Sequence, residues 1–238
     1  MKRIILFFLV SLSITANAQP NTKKDYDPPM LMRGIGVSFQ KFDGLNSRIA
    51  NRPEYKQLRD HSGTLDLGFM TVHNRFISEI DLSAGSSMSG DRNKKSSTIR
   101  YLGAGIDFGY DLIPNEKILL YPLVGIGGQR YQARFYKDNS AVPFDVALES
   151  SSVQNDIKPV DFLNSFFTYR LGFGFAIKSP KDPSCIIGIQ AGYTGSFKDK
   201  SWKSSDNQEL AGAPVDKISQ FHVSLFMSNM PKMGKGGK

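Results

Sequence analysis

The chain has one cysteine, Cys185, in 238 residues, so an intramolecular disulfide is excluded. Histidine is nearly as scarce. His61, His73 and His222 are scattered, and no HExxH, CxxC or DxDxDG spacing occurs, so neither a metal nor another cofactor is expected. The glycine phrases GIGV, GAGI, GIGG and GFGF never extend to GxGxxG, and none opens a helical pattern, which removes the phosphate cradle of nucleotide-binding proteins. Beyond the first residues, no apolar run approaches the roughly 20 residues of a membrane-spanning helix. With 40% hydrophobic and 22% charged residues, the chain is too apolar for a disordered one. If it enters a membrane, it must do so with strands closed into a barrel.

The first residues give an address. Lys2 and Arg3 form a positive start, residues 4–14 a short apolar run, and Ala16-Asn17-Ala18 a small-residue cleavage site before Gln19. This is the pattern of a secretory signal peptide over residues 1–18. Residues 19–30, polar and proline-bearing, are expected to be a periplasmic leader. The net charge of +8 drops on removal of Lys2 and Arg3 but stays positive. For an exported chain, the anions within reach are lipid headgroups and sugar-linked phosphates, not nucleic acid.

Period-two alternation marks eight strands. They fall near residues 31–41, 62–71, 79–84, 99–110, 119–131, 163–178, 185–194 and 217–229. In the fourth, Leu102, Ala104, Ile106, Phe108 and Tyr110 share a face opposite Tyr101, Gly103, Gly105, Asp107 and Gly109. In the sixth, Phe167, Tyr169, Leu171, Phe173, Phe175 and Ile177 oppose Thr168, Arg170, Gly172, Gly174 and Ala176. The connections after the odd strands read as long and polar (43–61, 85–96, 136–160, 198–215). Those after the even strands read as turns.

Structureless connections of a dozen residues or more are uncommon in compact soluble domains. Long loops alternating with short turns are the pattern of a barrel whose two rims lie on opposite sides of a membrane. Face volume points the same way. An eight-stranded lumen is only wide enough for its own side chains. The Phe-, Leu- and Ile-rich face is therefore assigned to lipid, and the glycine-rich face with its carboxylates to the lumen. The outward aromatics Phe39, Phe69, Tyr110, Phe167, Tyr169 and Tyr193 are placed near strand ends, where interfacial girdles sit. The alternative is a soluble ligand barrel with the apolar face inward.

On these features, and on phrases such as YPLVGIGG (121–128) and RLGFGFAI (170–177), the chain resembles the small eight-stranded outer-membrane β-barrels of Gram-negative bacteria, of the OmpA/OmpX-like type. The resemblance covers residues 31–229. It implies an all-β, closed, antiparallel up-and-down transmembrane barrel in the outer membrane. Such barrels usually end on a strand with a terminal aromatic. Here Phe221, Val223, Leu225 and Met227 alternate correctly, but a basic tail, 230–238, follows and is expected in the periplasm.

Within the lumen, Asp66, Glu79, Asp81, Asp107, Arg170 and His222 are expected to form a charge network that plugs the barrel. Lys56, Arg59, Arg92, Lys94, Lys95, Lys198, Lys200 and Lys203 would lie on external loops and meet lipopolysaccharide phosphates. His222 and Ser224 share the inward face of the last strand, but a dyad also needs an orienting carboxylate and an oxyanion site. The expected role is therefore non-enzymatic: envelope structure, adhesion, or an accessory of another envelope protein. A small transport or ligand barrel is the second expectation, and a lipid A-modifying hydrolase the third.

Overall fold

The alternation is realised as eight strands in the computed structural model, which describes residues 29–91, 94–115, 117–179 and 185–229. The expected signal peptide, most of the leader, Arg92 and the basic tail lie outside the described residues. The strands are β1 (Met30–Phe39), β2 (His61–His73), β3 (Phe76–Gly90), β4 (Ser96–Tyr110), β5 (Ile118–Tyr136), β6 (Val160–Lys178), β7 (Cys185–Ser196) and β8 (Ser219–Asn229). Strand β1 thus begins at Met30, inside the stretch assigned to the leader.

Every strand pairs antiparallel with its neighbours in sequence. Strand β1 also pairs with β8, from Leu31↔Asn229 to Phe39↔Phe221, and this closes the sheet. The result is a closed up-and-down barrel with no barrel strand left as a free edge. The turn between β2 and β3 is Asn74-Arg75. Both residues have positive φ (48° and 72°), the handedness that matches the twist of a two-residue hairpin.

The apolar face is outside. Leu102 and Phe173 are each 63% exposed, and Ile35, Leu65, Leu82, Val124, Ile189 and Leu225 are exposed with them. A continuous apolar exterior of this extent is the lipid-facing band of a membrane barrel. Outward aromatics ring it. At the loop end, Phe167 stacks on Phe197 at 5.1 Å, and Tyr169, Tyr193 and Phe221 continue the row. At the turn end, Phe76 and Tyr110 meet edge to face, with the Arg75 guanidinium 4.8 Å over the Tyr110 ring.

Three sequence expectations are corrected. The connection after β3 is not a dozen-residue loop. Gly85 to Gly90 remain paired with Tyr101 to Ser96, so only five residues separate the two strands. Above the lipid band a strand can be polar on both faces, so the hydrophobic alternation stops while the backbone ladder continues. Residues 43–61 are not simply loop, for they begin with a helix, α1 (Asp43–Ala50).

The lumen, finally, is not filled mainly by small residues. Met30, Met32, Met70, Ile77, Leu119, Tyr121, Ala176, Ile186 and Phe226 pack inside the turn end. Ile99, Tyr101, Tyr131, Ala133, Phe135 and Phe166 point inward at the other end. The glycines make room for these large groups. Gly174 lies across from Tyr121 and Gly85 across from Tyr101, and a Cβ at either position would overlap the ring; at Gly105 it would overlap the Arg170 guanidinium.

Candidate functional site

Two arrangements hold side chains in chemically defined positions: a charged belt in mid-lumen and a folded lid over the loop end. The belt is carried by inward positions of β2 to β8. Arg170 on β6 reaches across the lumen to Asp81 on β3 and Asp107 on β4, the latter at 3.0 Å. Glu79 lies beneath them. The Gln190 amide donates to both of its oxygens at 2.9 Å, and the Tyr121 hydroxyl sits 3.4 Å from one. Asp66 and His222 complete the expected set. They line, with Arg170, Thr64, Thr168 and Thr194, a polar cavity of about 30 Å³. That space fits one or two waters.

The belt thus brings together every lumenal residue expected from the sequence. Four carboxyl groups face one guanidinium, so amide and hydroxyl donors must supply the remaining compensation. Gln190 shares the inward parity of β7, and the sequence does not single it out for this task. Sequence reasoning also missed the Gln129–Gln220 pair (2.9 Å) and the Tyr131 hydroxyl on Gln129 (3.0 Å). Inward parity with an amide side chain was the available signal. Ser224 is buried two residues along β8 from His222, facing Gly36 and Gln190 across the ladder.

The lid is built from connections. In α1, Leu45 and Ile49 fall one turn apart on the buried side, and Phe42 precedes them. Trp202, from the connection between β7 and β8, is fully buried, with the Phe42 ring 5.7 Å away. Its indole nitrogen donates to Asp216 Oδ2 at 2.7 Å. The same carboxylate accepts from Gly44 N at 2.8 Å and Leu45 N at 3.0 Å. Asp216 therefore caps α1 from a distant loop, at the helix end where backbone donors lack partners and the dipole favours an anion. Burial pushes the Asp216 carboxyl above its ordinary value, against the opposing pull of its three donors. Phe42, Leu45, Ile49, Leu58, Trp202 and Ile218 join the inward rings of β4 to β6 in one cluster across the mouth.

The basic loop residues are spread around this lid. Lys56, Arg59, Lys94, Lys198 and Lys200 are exposed. Lys95 donates to Pro53 O at 2.7 Å, and Lys203 lies 3.8 Å from Glu209. The structure brings them to one rim without converging them on a single point. On the outer wall just below the rim, Arg134 makes a two-pronged pair with Asp161, both contacts 2.7 Å.

A closed eight-stranded barrel with an apolar exterior, a filled lumen and a loop-built lid is the architecture of a small outer-membrane β-barrel. No family model and no curated protein matches the chain. Among solved structures, it is similar to Ail, the attachment invasion locus protein of Yersinia pestis (15% identity, TM-score 0.48, covering 84% of this chain and 96% of that one). It is also similar to Neisserial surface protein A (9%, 0.47, 87% and 99%) and to a major outer membrane protein of Thermus thermophilus (11%, 0.46, 83% and 98%).

Proposed function

We propose that this chain is exported, freed of residues 1–18, and inserted in the outer membrane as a non-conducting barrel with a structural or surface-recognition role. The long connections 40–60, 137–159 and 197–218 then face outward, and both chain ends face the periplasm. One observation carries this reading: the charged belt is flanked on both sides by apolar layers, Met30/Met70/Ile77/Ile186 below and Phe42/Leu45/Trp202 above. An ion entering from either rim meets an apolar layer before it meets a charge, and a desolvated charge there is costly. A lid held by cross-loop hydrogen bonds is a preformed surface, which lowers the ordering cost of binding. Its basic rim suits polyanionic partners such as lipopolysaccharide, and the role is non-enzymatic.

Planar-bilayer recording tests the reading. The refolded protein should show no unitary current steps. Stable openings that disappear when a lumenal residue such as Arg170 is replaced would overturn it. N-terminal sequencing of the protein recovered from outer membranes should begin at Gln19.

A further inference from the structure

The outer wall of β4 and β5 carries two arginines at the height where lipid headgroups sit. Arg100 on β4 and Arg130 on β5 both point outward and are exposed. The register pairs Arg100 with Gln132 and Leu102 with Arg130, so the two arginines are diagonal neighbours on one face. Such diagonal positions lie about 7–8 Å apart, and somewhat less at their Cβ atoms, close enough for two long side chains to converge.

Their height follows from the strand. From Arg100 down to Tyr110 the outward positions of β4 are Leu102, Ala104, Ile106 and Phe108, all apolar. At about 3.3 Å per residue and a tilt near 40°, this stretch spans about 25 Å, the height of a barrel's lipid band. Arg130 also lies one outward position above the level of the aromatic row, since Gly128 pairs with Phe167 and Arg130 with Ser165. On the β6–β8 wall, aromatic rings mark the membrane boundary. On the β4–β5 wall, two guanidiniums mark it.

Their electrostatics also set them apart. Arg134, two outward positions above Arg130 on β5, is held by Asp161, and Gln132 donates to the same carboxylate at 3.1 Å. Arg100 and Arg130 form no ion pair among the described residues. Two adjacent like charges without a counter-charge repel, and the arrangement is favourable when an anion sits between them. The planar guanidinium fork matches phosphate oxygens in a way the loop lysines do not.

We infer that Arg100 and Arg130 form a phosphate clamp for a lipid of the loop-side leaflet. The headgroup phosphate lies between the guanidiniums, and the acyl chains run down over Leu102, Ala104 and Ile126. This rests on the membrane orientation proposed above and adds a binding site on the wall, separate from the loop lysines.

The test uses the full-length protein refolded in zwitterionic, phosphate-free detergent, titrated with lipid A, with a neutral diacylglycerol and with inorganic phosphate. Native mass spectrometry counts bound lipid. The wild type should retain lipid A in preference to diacylglycerol, and inorganic phosphate at equal concentration should not displace it. Arg100→Gln/Arg130→Gln should lower apparent lipid A affinity about tenfold or more, since each charge-assisted fork is lost. Arg100→Lys/Arg130→Lys should fall between the two. The charge-matched control Lys117→Gln/Lys178→Gln, at the turn end, should bind like the wild type. Lys56→Gln/Lys200→Gln, on the basic rim, should lose less affinity than Arg100→Gln/Arg130→Gln. Wild-type binding by Arg100→Gln/Arg130→Gln, or a greater loss in Lys56→Gln/Lys200→Gln, would overturn the clamp and return the site to the loops. Displacement by inorganic phosphate alone would also overturn it, because a bare anion would then suffice. Heat-modifiable migration reports that each variant is folded. Bilayer current would defeat the non-conducting reading while leaving these affinities unchanged, so the two failures are distinguishable.

Discussion

The two ends of the barrel are packed by different means. At the turn end, the packing is made by residues that the strands themselves carry inward, such as Met30, Met70, Ile77, Ile186 and Phe226. The connections there are short, and Asn74-Arg75 closes one of them in two residues. At the loop end, strand residues such as Tyr131 and Phe135 supply only part of the packing. Phe42, Leu45, Trp202 and Ile218 come from connections and must be brought over the mouth. The first packing comes from the strand register alone. The second also depends on loop segments, held by one carboxylate that joins a helix end to an indole. A β-barrel can thus be rigid in its wall while leaving to its loops the part of the structure that selection can reshape.

Substitutions can break this comparison, and the largest effect is expected between the two ends. Arg170→Ala leaves Asp81 and Asp107 facing each other without their guanidinium. It should cost about 3–5 kcal/mol, as removing one partner of a buried charge network does. Urea midpoints of the barrel folded into lipid vesicles would measure this. A loss below about 1 kcal/mol, as for an exposed pair, would mean that the belt is solvated.

Trp202→Ala should cost about 3–4 kcal/mol as a large core truncation, and its damage should be local. Protease cleavage within residues 43–61 should rise in this variant. Met70→Ala, at the opposite end, should cost about 2–4 kcal/mol and leave that cleavage unchanged. If both variants open the lid equally, the two packed ends are one cooperative unit and the comparison fails.

Asp216→Ala strands three donors, Trp202 Nε1, Gly44 N and Leu45 N, at a cost of about 1–3 kcal/mol. Asp216→Asn keeps an acceptor and should cost less, and amide exchange at Gly44 and Leu45 would rank the two variants. The smallest effect is with pH. The folded Asp216 carboxyl lies above its ordinary value of 3.8, so the folded state binds the proton more tightly than the unfolded one. Stability from this group therefore rises as pH falls through the folded value and levels off below the unfolded one. Lid protection should hold or increase slightly on mild acidification. A loss of protection with an Asp216 midpoint below 3.8 would reverse the assignment.

The strand pattern was readable wherever a strand crosses lipid, because one face must then be apolar and side chains alternate. Leu102, Ile106 and Phe108 against Gly103, Gly105 and Asp107 needed no tertiary information. Two kinds of residue escaped that reading. Large inward groups such as Tyr121 and Phe226 are not legible as lumen filling from parity alone, since only the register shows that Gly174 and Gly188 stand beside them. Lid residues such as Leu45, Trp202 and Asp216 lie in polar stretches far apart in sequence, where no periodicity joins them. Arg100 was overlooked for a third reason: it sits at the loop end of a strand read for its alternation, and its height above the band matters more than its parity.

The sequence by itself determined the number of barrel strands, which face meets lipid and which carboxylates share the lumen with Arg170. Period-two geometry and the cost of exposing backbone to lipid permit few other arrangements. Tertiary structure alone decided that Arg170 spans Asp81 and Asp107, that glycines and tyrosines interlock across strands, and that Asp216 ties a helix to an indole. It also set Arg100 beside Arg130. Each of these depends on register and closure, which place residues far apart in the chain within a few ångströms of one another.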